Sequence, residues 1–214
     1  MENQLMYESP LTGSVSVRDR WGKGAGVMTN DGVTFSLEWR GNRFEGHSPD
    51  SLELVGEAVA SAEPPELDRG DLCGYELTWS TPVTVMTGAG TERFDLTAQL
   101  TVPNPHAPAP GQEYGVSLTL AVPGGDVSTA RHGDMESALL ELQRNAPDGM
   151  RMAICSTCAL SDYHPVGYGF MGDLACFRNS KEEFRKVSSK SALLDVWDSR
   201  AGHVQETYHC PDFE

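Results

Sequence analysis

Four cysteines crowd the last third of the chain. Cys155 and Cys158 form a Cys-x-x-Cys pair, and Cys176 and Cys210 follow after 17 and 33 intervening residues. A Cys-x-x-Cys turn brings two thiolates within reach of one ion, and two more complete the tetrahedral shell of a structural zinc. The candidate ligands are therefore Cys155, Cys158, Cys176 and Cys210, with zinc as the cofactor. Cys210 precedes Pro211, a step that ends strand pairing and turns the chain. The glycine-rich segment between Cys158 and Cys176 has little apolar material of its own, which a metal would make good. Only one half of a double Cys-x-x-Cys pattern is present, so other readings stay open. An iron–sulfur cluster calls for tighter local spacing. A redox pair calls for a thioredoxin-like β-α setting that the flanks lack. Unliganded thiols are the third alternative. The fifth cysteine, Cys73, stands alone and reads as a buried small hydrophobe.

The second chemical group lies between the first cysteine pair and Cys176, in "SDYHPVGYG". Asp162, Tyr163 and His164 offer an acid, a phenol and an imidazole in consecutive positions. Consecutive side chains converge on one substrate only where the backbone is irregular, and Pro165, Gly167 and Gly169 supply that irregularity. Asp162 could then orient His164 as a general base. The plainer reading has Asp162 capping a turn, Tyr163 packed on the sheet and His164 at the surface. His164 is also a candidate to replace one cysteine as a ligand. His209, beside Cys210, would point the opposite way along a strand. His132, Asp134 and Glu136 sit at a helix start, where capping and the helix dipole account for the two acids. Phosphate-loop, dinucleotide, zinc-protease and nucleophile-elbow motifs are absent.

These groups must be positioned by a largely β scaffold. "GVTFSLEWR" places Val33, Phe35, Leu37 and Trp39 on one face and polar residues on the other. "YELTWSTPVTV", "RFDLTAQLTV" and "YGVSLTLAV" repeat that period of two, which marks strands with one wet face. Pro82 pushes the first of these toward a sheet edge or a break. Glycine turns separate the runs, which argues antiparallel pairing in a sandwich or open barrel. The loops at 61–71 and 103–113 are proline-bearing. The second is read as a variable connector, with a stiff lid as the alternative. "DMESALLELQRNAP" predicts a helix capped by Asp134, with Met135, Ala138, Leu139 and Leu142 as its apolar stripe. Ser180 and Glu183 have capping-box spacing for a second helix, continuous or broken, to Trp197. "GHVQETYHC" reads as a closing strand. The fold class is thus mainly β (α+β), an antiparallel β-sandwich or open barrel with one or two helices and a C-terminal zinc-stapled section. Residues 1–130 form the β-rich region. Residues 131–214 carry the helix and the four-cysteine metal-binding section, packed on it as one unit.

The chain has 214 residues and a formal net charge of -15, which disfavours contact with nucleic acid or anionic membrane. Eight acids face Arg69 alone between Asp50 and Glu76, and five basic residues cluster between Arg178 and Lys190. The basic cluster reads as a solvated helix face. "MENQLMYESPL" lacks the features of a leader and no long apolar run exists, so a cytoplasmic location is expected.

"SDYHPVGYG", "GDLACFR" and "VQETYHCPDFE" together resemble the C-terminal signature of an uncharacterised actinobacterial protein family. The resemblance covers the last third of the chain and implies that Cys155, Cys158, Cys176 and Cys210 act as one unit. It brings no known activity. The expected function is that of a zinc-binding, β-rich binding or accessory protein whose partner is an unknown small molecule or protein. The alternative is an enzyme of specialised metabolism with a pocket near Asp162, Tyr163 and His164 and a purely structural zinc.

Overall fold

The computed structural model describes residues 10–108, 110 and 112–214. Residues 1–9, most of the stretch read for a leader, lie outside the described residues, as do Ala109 and Gly111 of the 103–113 loop. Antiparallel strands dominate. The large sheet is built from β1 (Leu11–Asp19), β2 (Gly22–Asn30), β3 (Phe35–Trp39), β4 (Asn42–Gly46), β5 (Glu53–Leu54), β6 (Glu66–Asp68), β7 (Asp71–Cys73), β8 (Tyr75–Thr87), β9 (Gly90–Val102), β10 (Gly115–Leu120) and β11 (Val127–Ser128). Their spatial order is β11-β10-β9-β8-β1-β2-β3-β4-β5-β7-β6. The two ends do not meet among the described residues, so the assembly is an open antiparallel sheet with one shared core. The alternation read from sequence is what builds it. Phe35, Leu37, Tyr75, Leu77, Leu96, Leu100, Val116 and Leu118 are all buried in that core. Val33 and Tyr114 are exceptions: they precede β3 and β10 and are 55% and 40% exposed.

One joint of this sheet is loosely paired. β8 runs through Pro82 without breaking and pairs with β9 along its whole length, Pro82 opposite Asp95. On its other side β8 meets β1 only at Glu76–Thr78. It meets β12 (Arg151–Met152) only at Val85–Met86. Pro82, which has no N–H to donate, falls in the unpaired stretch between these two partners.

The helix α1 (Met135–Asn145) has Asp134 as its N-cap, accepting from the Ser137 amide at 2.7 Å. It buries Met135, Ala138, Leu139 and Leu142 against the sheet, as its periodicity predicts. The C-terminal section contains a separate three-stranded sheet of β13 (Ser161–Asp162), β14 (Leu174–Cys176) and β15 (Gly202–Val204). Its helices are α2 (Lys181–Phe184) and α3 (Lys190–Val196), so the second helix is broken. Two details correct the sequence reading. Ser180 makes no side-chain cap, because its hydroxyl donates to the Phe177 and Ser199 carbonyls instead. The closing strand stops at Val204, because Gln205 and Glu206 are fixed by buried polar contacts rather than by a ladder. The basic cluster is partly paired: Lys181 and Arg185 both bond the Glu214 carboxylate.

The two sheets are tied by a reciprocal buried amide pair. Asn30 Nδ2 donates to Gln205 Oε1 at 2.7 Å, and Gln205 Nε2 donates to Asn30 Oδ1 at 2.9 Å. Phe170 and Met171 reach back into the main core.

Candidate functional site

The cysteines come together from three separate parts of the chain. Cys155 opens a single 3-10 turn, Cys158 follows it, Cys176 ends β14 and Cys210 lies in the tail. Cys155, Cys176 and Cys210 share one buried cluster with Tyr163, Leu174 and Val204. Cys158 packs at the edge of the adjoining cluster around Phe177. The amide of Asp212 donates to Cys210 Sγ at 3.2 Å. The backbone of Arg178 bonds the Cys176 sulfur. Each of these two sulfurs thus receives a main-chain donor from two residues onward. The Arg178 guanidinium adds a contact to Cys210 Sγ at 3.9 Å, and its other terminal nitrogen is buried without a partner among the described residues. Burial pushes the Cys155 thiol well up, its three fellow cysteines add to this, and Arg178 opposes it. Burial also raises Cys176, against the donor and charge of Arg178. All five cysteines are free. Among the described residues, no group of three or more His, Cys, Asp or Glu side chains is arranged so that it could hold a metal ion. The four thiols are neighbours without forming a ligand shell. Cys73 is buried away from this cluster, and burial raises its thiol, aided by Glu66, Asp68 and Asp71.

Asp162, Tyr163 and His164 line one open groove of about 580 Å³, with Tyr168 and Glu136 on one wall and Ser188–Lys190 on the other. They do not point at a common centre. Asp162 Oδ1 accepts from the amide of Tyr163 at 2.8 Å. His164 stands edge-on to Trp197, ring centroids 4.7 Å apart, and its Nδ1 accepts from the Val166 amide at 3.3 Å. No hydrogen bond joins Asp162 to His164 among the described residues. Tyr163 turns inward, stacks on Tyr168 at 4.0 Å, and donates its hydroxyl to Glu206 Oε1 at 3.0 Å.

Sequence reasoning misses Glu206. It is 1% exposed, and both its oxygens accept from the Gly172 amide, at 3.1 and 2.9 Å. Burial raises this carboxyl to about 7, against the hydrogen bonds from the backbone and Tyr163. Tyr168 is raised to about 12, first by its hydrogen bond to Glu136 and then by burial. One signal for Glu206 is present: it stands two residues from both Val204 and Tyr208, in the apolar phase of that segment. His209 is engaged elsewhere, its Nδ1 bonding the Ala153 carbonyl at 2.6 Å.

Residues 11–161 match the model of a family described as a family of unknown function, DUF6304, and the chain belongs to that family. The matched span holds the large sheet, α1, Cys155 and Cys158, and ends before Cys176 and Cys210. It supports an uncharacterised family, but through the β-rich region rather than through the C-terminal signature. No curated protein and no solved structure matches the chain.

Proposed function

We propose that this member of the DUF6304 family is a zinc-stapled binding or accessory protein, in which Cys155, Cys158, Cys176 and Cys210 hold one structural zinc ion. The observation that carries the reading is the company the thiols keep. Main-chain amides donate to Cys176 and Cys210, and a guanidinium with a buried nitrogen that has no partner among the described residues lies against the same cluster. Neutral thiols are poor acceptors and leave that cation uncompensated, whereas thiolates satisfy both donors and charge. A buried tetrathiolate around a divalent ion carries net negative charge, and Arg178 would balance part of it. The reading asks the four sulfurs to turn onto one centre, on a backbone that already gathers their segments. Four thiolates leave no open position for water, so the metal's contribution is to folding. Elemental analysis of protein purified without chelator should find about one zinc per chain. Protein free of metal under those conditions would overturn the reading.

The second reading is an enzyme, favoured by the groove that Asp162, Tyr163 and His164 share, with the raised carboxyl of Glu206 behind Tyr163. In that case proton transfer falls to side chains, and His164 is the imidazole that lines the groove. His164→Ala should then abolish turnover or weaken ligand binding while zinc content and folding stay intact. Loss of zinc in this variant would instead make His164 a ligand.

A further inference from the structure

Residues 208–214 run alongside the Cys-x-x-Cys turn and are tied to both of its ends. At the first end the Cys155 amide donates to the Tyr208 carbonyl at 2.7 Å, and the Ser156 amide donates to the Glu206 carbonyl at 3.0 Å. At the other end the Ala159 amide donates to the Glu214 carbonyl at 2.9 Å. Cys210 lies between the two ties, and its sulfur belongs to the buried thiol cluster.

The two ties differ in kind. The first is buried: Glu206, Thr207 and Cys210 are almost fully enclosed, and His209 bonds the Ala153 carbonyl beside them. The second is ionic and wet. The Glu214 carboxylate bonds Lys181 Nζ at 2.9 Å and the Arg185 guanidinium, and these three side chains are between 31% and 50% exposed. Arg185 also shares Glu182, one turn back on α2. Between the ties, Pro211 and Asp212 are exposed, and Pro211 has no N–H to pair. The Phe213 amide donates to the Cys210 carbonyl at 3.1 Å, and its ring lies 5.6 Å from the Arg151 guanidinium. Exposed ion pairs are weak and screened by salt, so the second tie opens far more readily than the first. The Asp212 amide that donates to Cys210 Sγ at 3.2 Å sits on the loose side.

We propose that residues 211–214 form an ionic latch on the thiol cluster, in which the grip of Lys181 and Arg185 on Glu214 sets how readily Cys210 leaves it. The consequence for a metal rests on the four-cysteine zinc reading above; the latch itself does not. Closed, it keeps the Cys210 sulfur beside Cys155 and Cys176, with the Asp212 amide as donor. Open, it withdraws that donor. Cys176 is held by ladders on both sides and Cys155 by its turn, so Cys210 is the ligand that leaves first. Its sulfur–zinc bond then breaks, the thiolate keeps the electron pair, and a donor atom of a competing chelator takes the position.

The rate of zinc transfer from the full chain to the chromogenic chelator pyridylazoresorcinol tests this. Glu214→Gln removes both ion pairs and should speed transfer roughly 2- to 10-fold. Arg185→Gln removes one and should speed it less. The two variants change the local charge in opposite directions, so a shared acceleration marks an opened latch rather than a field acting on the thiols. Glu182→Gln takes away a nearby negative charge without touching residues 211–214 and should not speed transfer. Added sodium chloride should accelerate the wild type and leave Glu214→Gln nearly unchanged. Equal rates in wild type, Glu214→Gln and Arg185→Gln, or shifts of opposite sign, would overturn the latch. A wild type purified without zinc would overturn the metal reading alone. The latch is then read from alkylation of Cys210 by iodoacetamide, mapped by mass spectrometry, with the same order of rates expected. Alkylation of Cys210 that is equal across these variants would overturn it.

Discussion

The large sheet and the C-terminal section solve the same problem by different means. The sheet is self-sufficient in apolar surface: its strands and α1 bury one continuous core from Val15 to Met171. The C-terminal section has strands of two or three residues and two small clusters, one of which is half cysteine. It also buries Gln205, Glu206 and Thr207 in succession. Long half-buried strands hold themselves by hydrophobic burial, at about 25 cal/mol per Å² of apolar surface. A section this short of apolar area needs satisfied polar contacts and, as proposed above, a metal.

The largest effects should separate the two regions by which cysteine is changed. Cys176→Ser or Cys210→Ser should remove zinc and cost the C-terminal section several kcal/mol. Cys73→Ser should keep its zinc and cost far less. Thermal unfolding and metal content of the three variants check this, and equal midpoints would exclude Cys176 and Cys210 as ligands. On the sheet side, Leu100→Ala should cost about 2–5 kcal/mol by opening a cavity in the core, without altering metal content. Urea denaturation measures it. A loss of zinc in Leu100→Ala would mean that the two regions do not fold with separate supports.

A smaller effect should follow pH. The Glu206 carboxyl is raised to about 7 from an ordinary value of 4.5, so the folded chain holds its proton more tightly than the unfolded one. Its contribution to stability is complete below the unfolded value and is lost as pH rises to about 7. The size is on the order of a few kcal/mol. Glu206→Gln should flatten this part of the profile. Urea midpoints of wild type and variant at about pH 5 and about pH 8 compare the two states. Parallel profiles would mean that Glu206 is ionised throughout.

The same contrast governs what the sequence can tell. β3, β8, β9 and β10 are legible because a strand with one wet face must alternate, and α1 because its stripe and cap follow from helical period. Pro82 is legible as a mark of an unpaired stretch, though not as the side of a continuous strand. The C-terminal section is legible in its clustered cysteines and its broken second helix. Its polar residues are placed by partners far away in sequence, such as Asn30 for Gln205 and Gly172 for Glu206. Periodicity carries no trace of such contacts, which is why the pattern reads as strand through to Cys210. Asp162, Tyr163 and His164 do share one groove, yet the direction of Tyr163 and His164 is set by Glu206 and Trp197, which the local pattern does not reveal.

Hydrogen exchange on the full chain, with and without a strong zinc chelator, tests the zinc staple most directly. Chelation should strip protection from Ala153 to Cys210, including β13, β14 and β15, while β1, β8, β9 and β10 stay protected. Exchange that is unchanged by chelator in both regions would contradict the staple, because the C-terminal section would then be held without a metal.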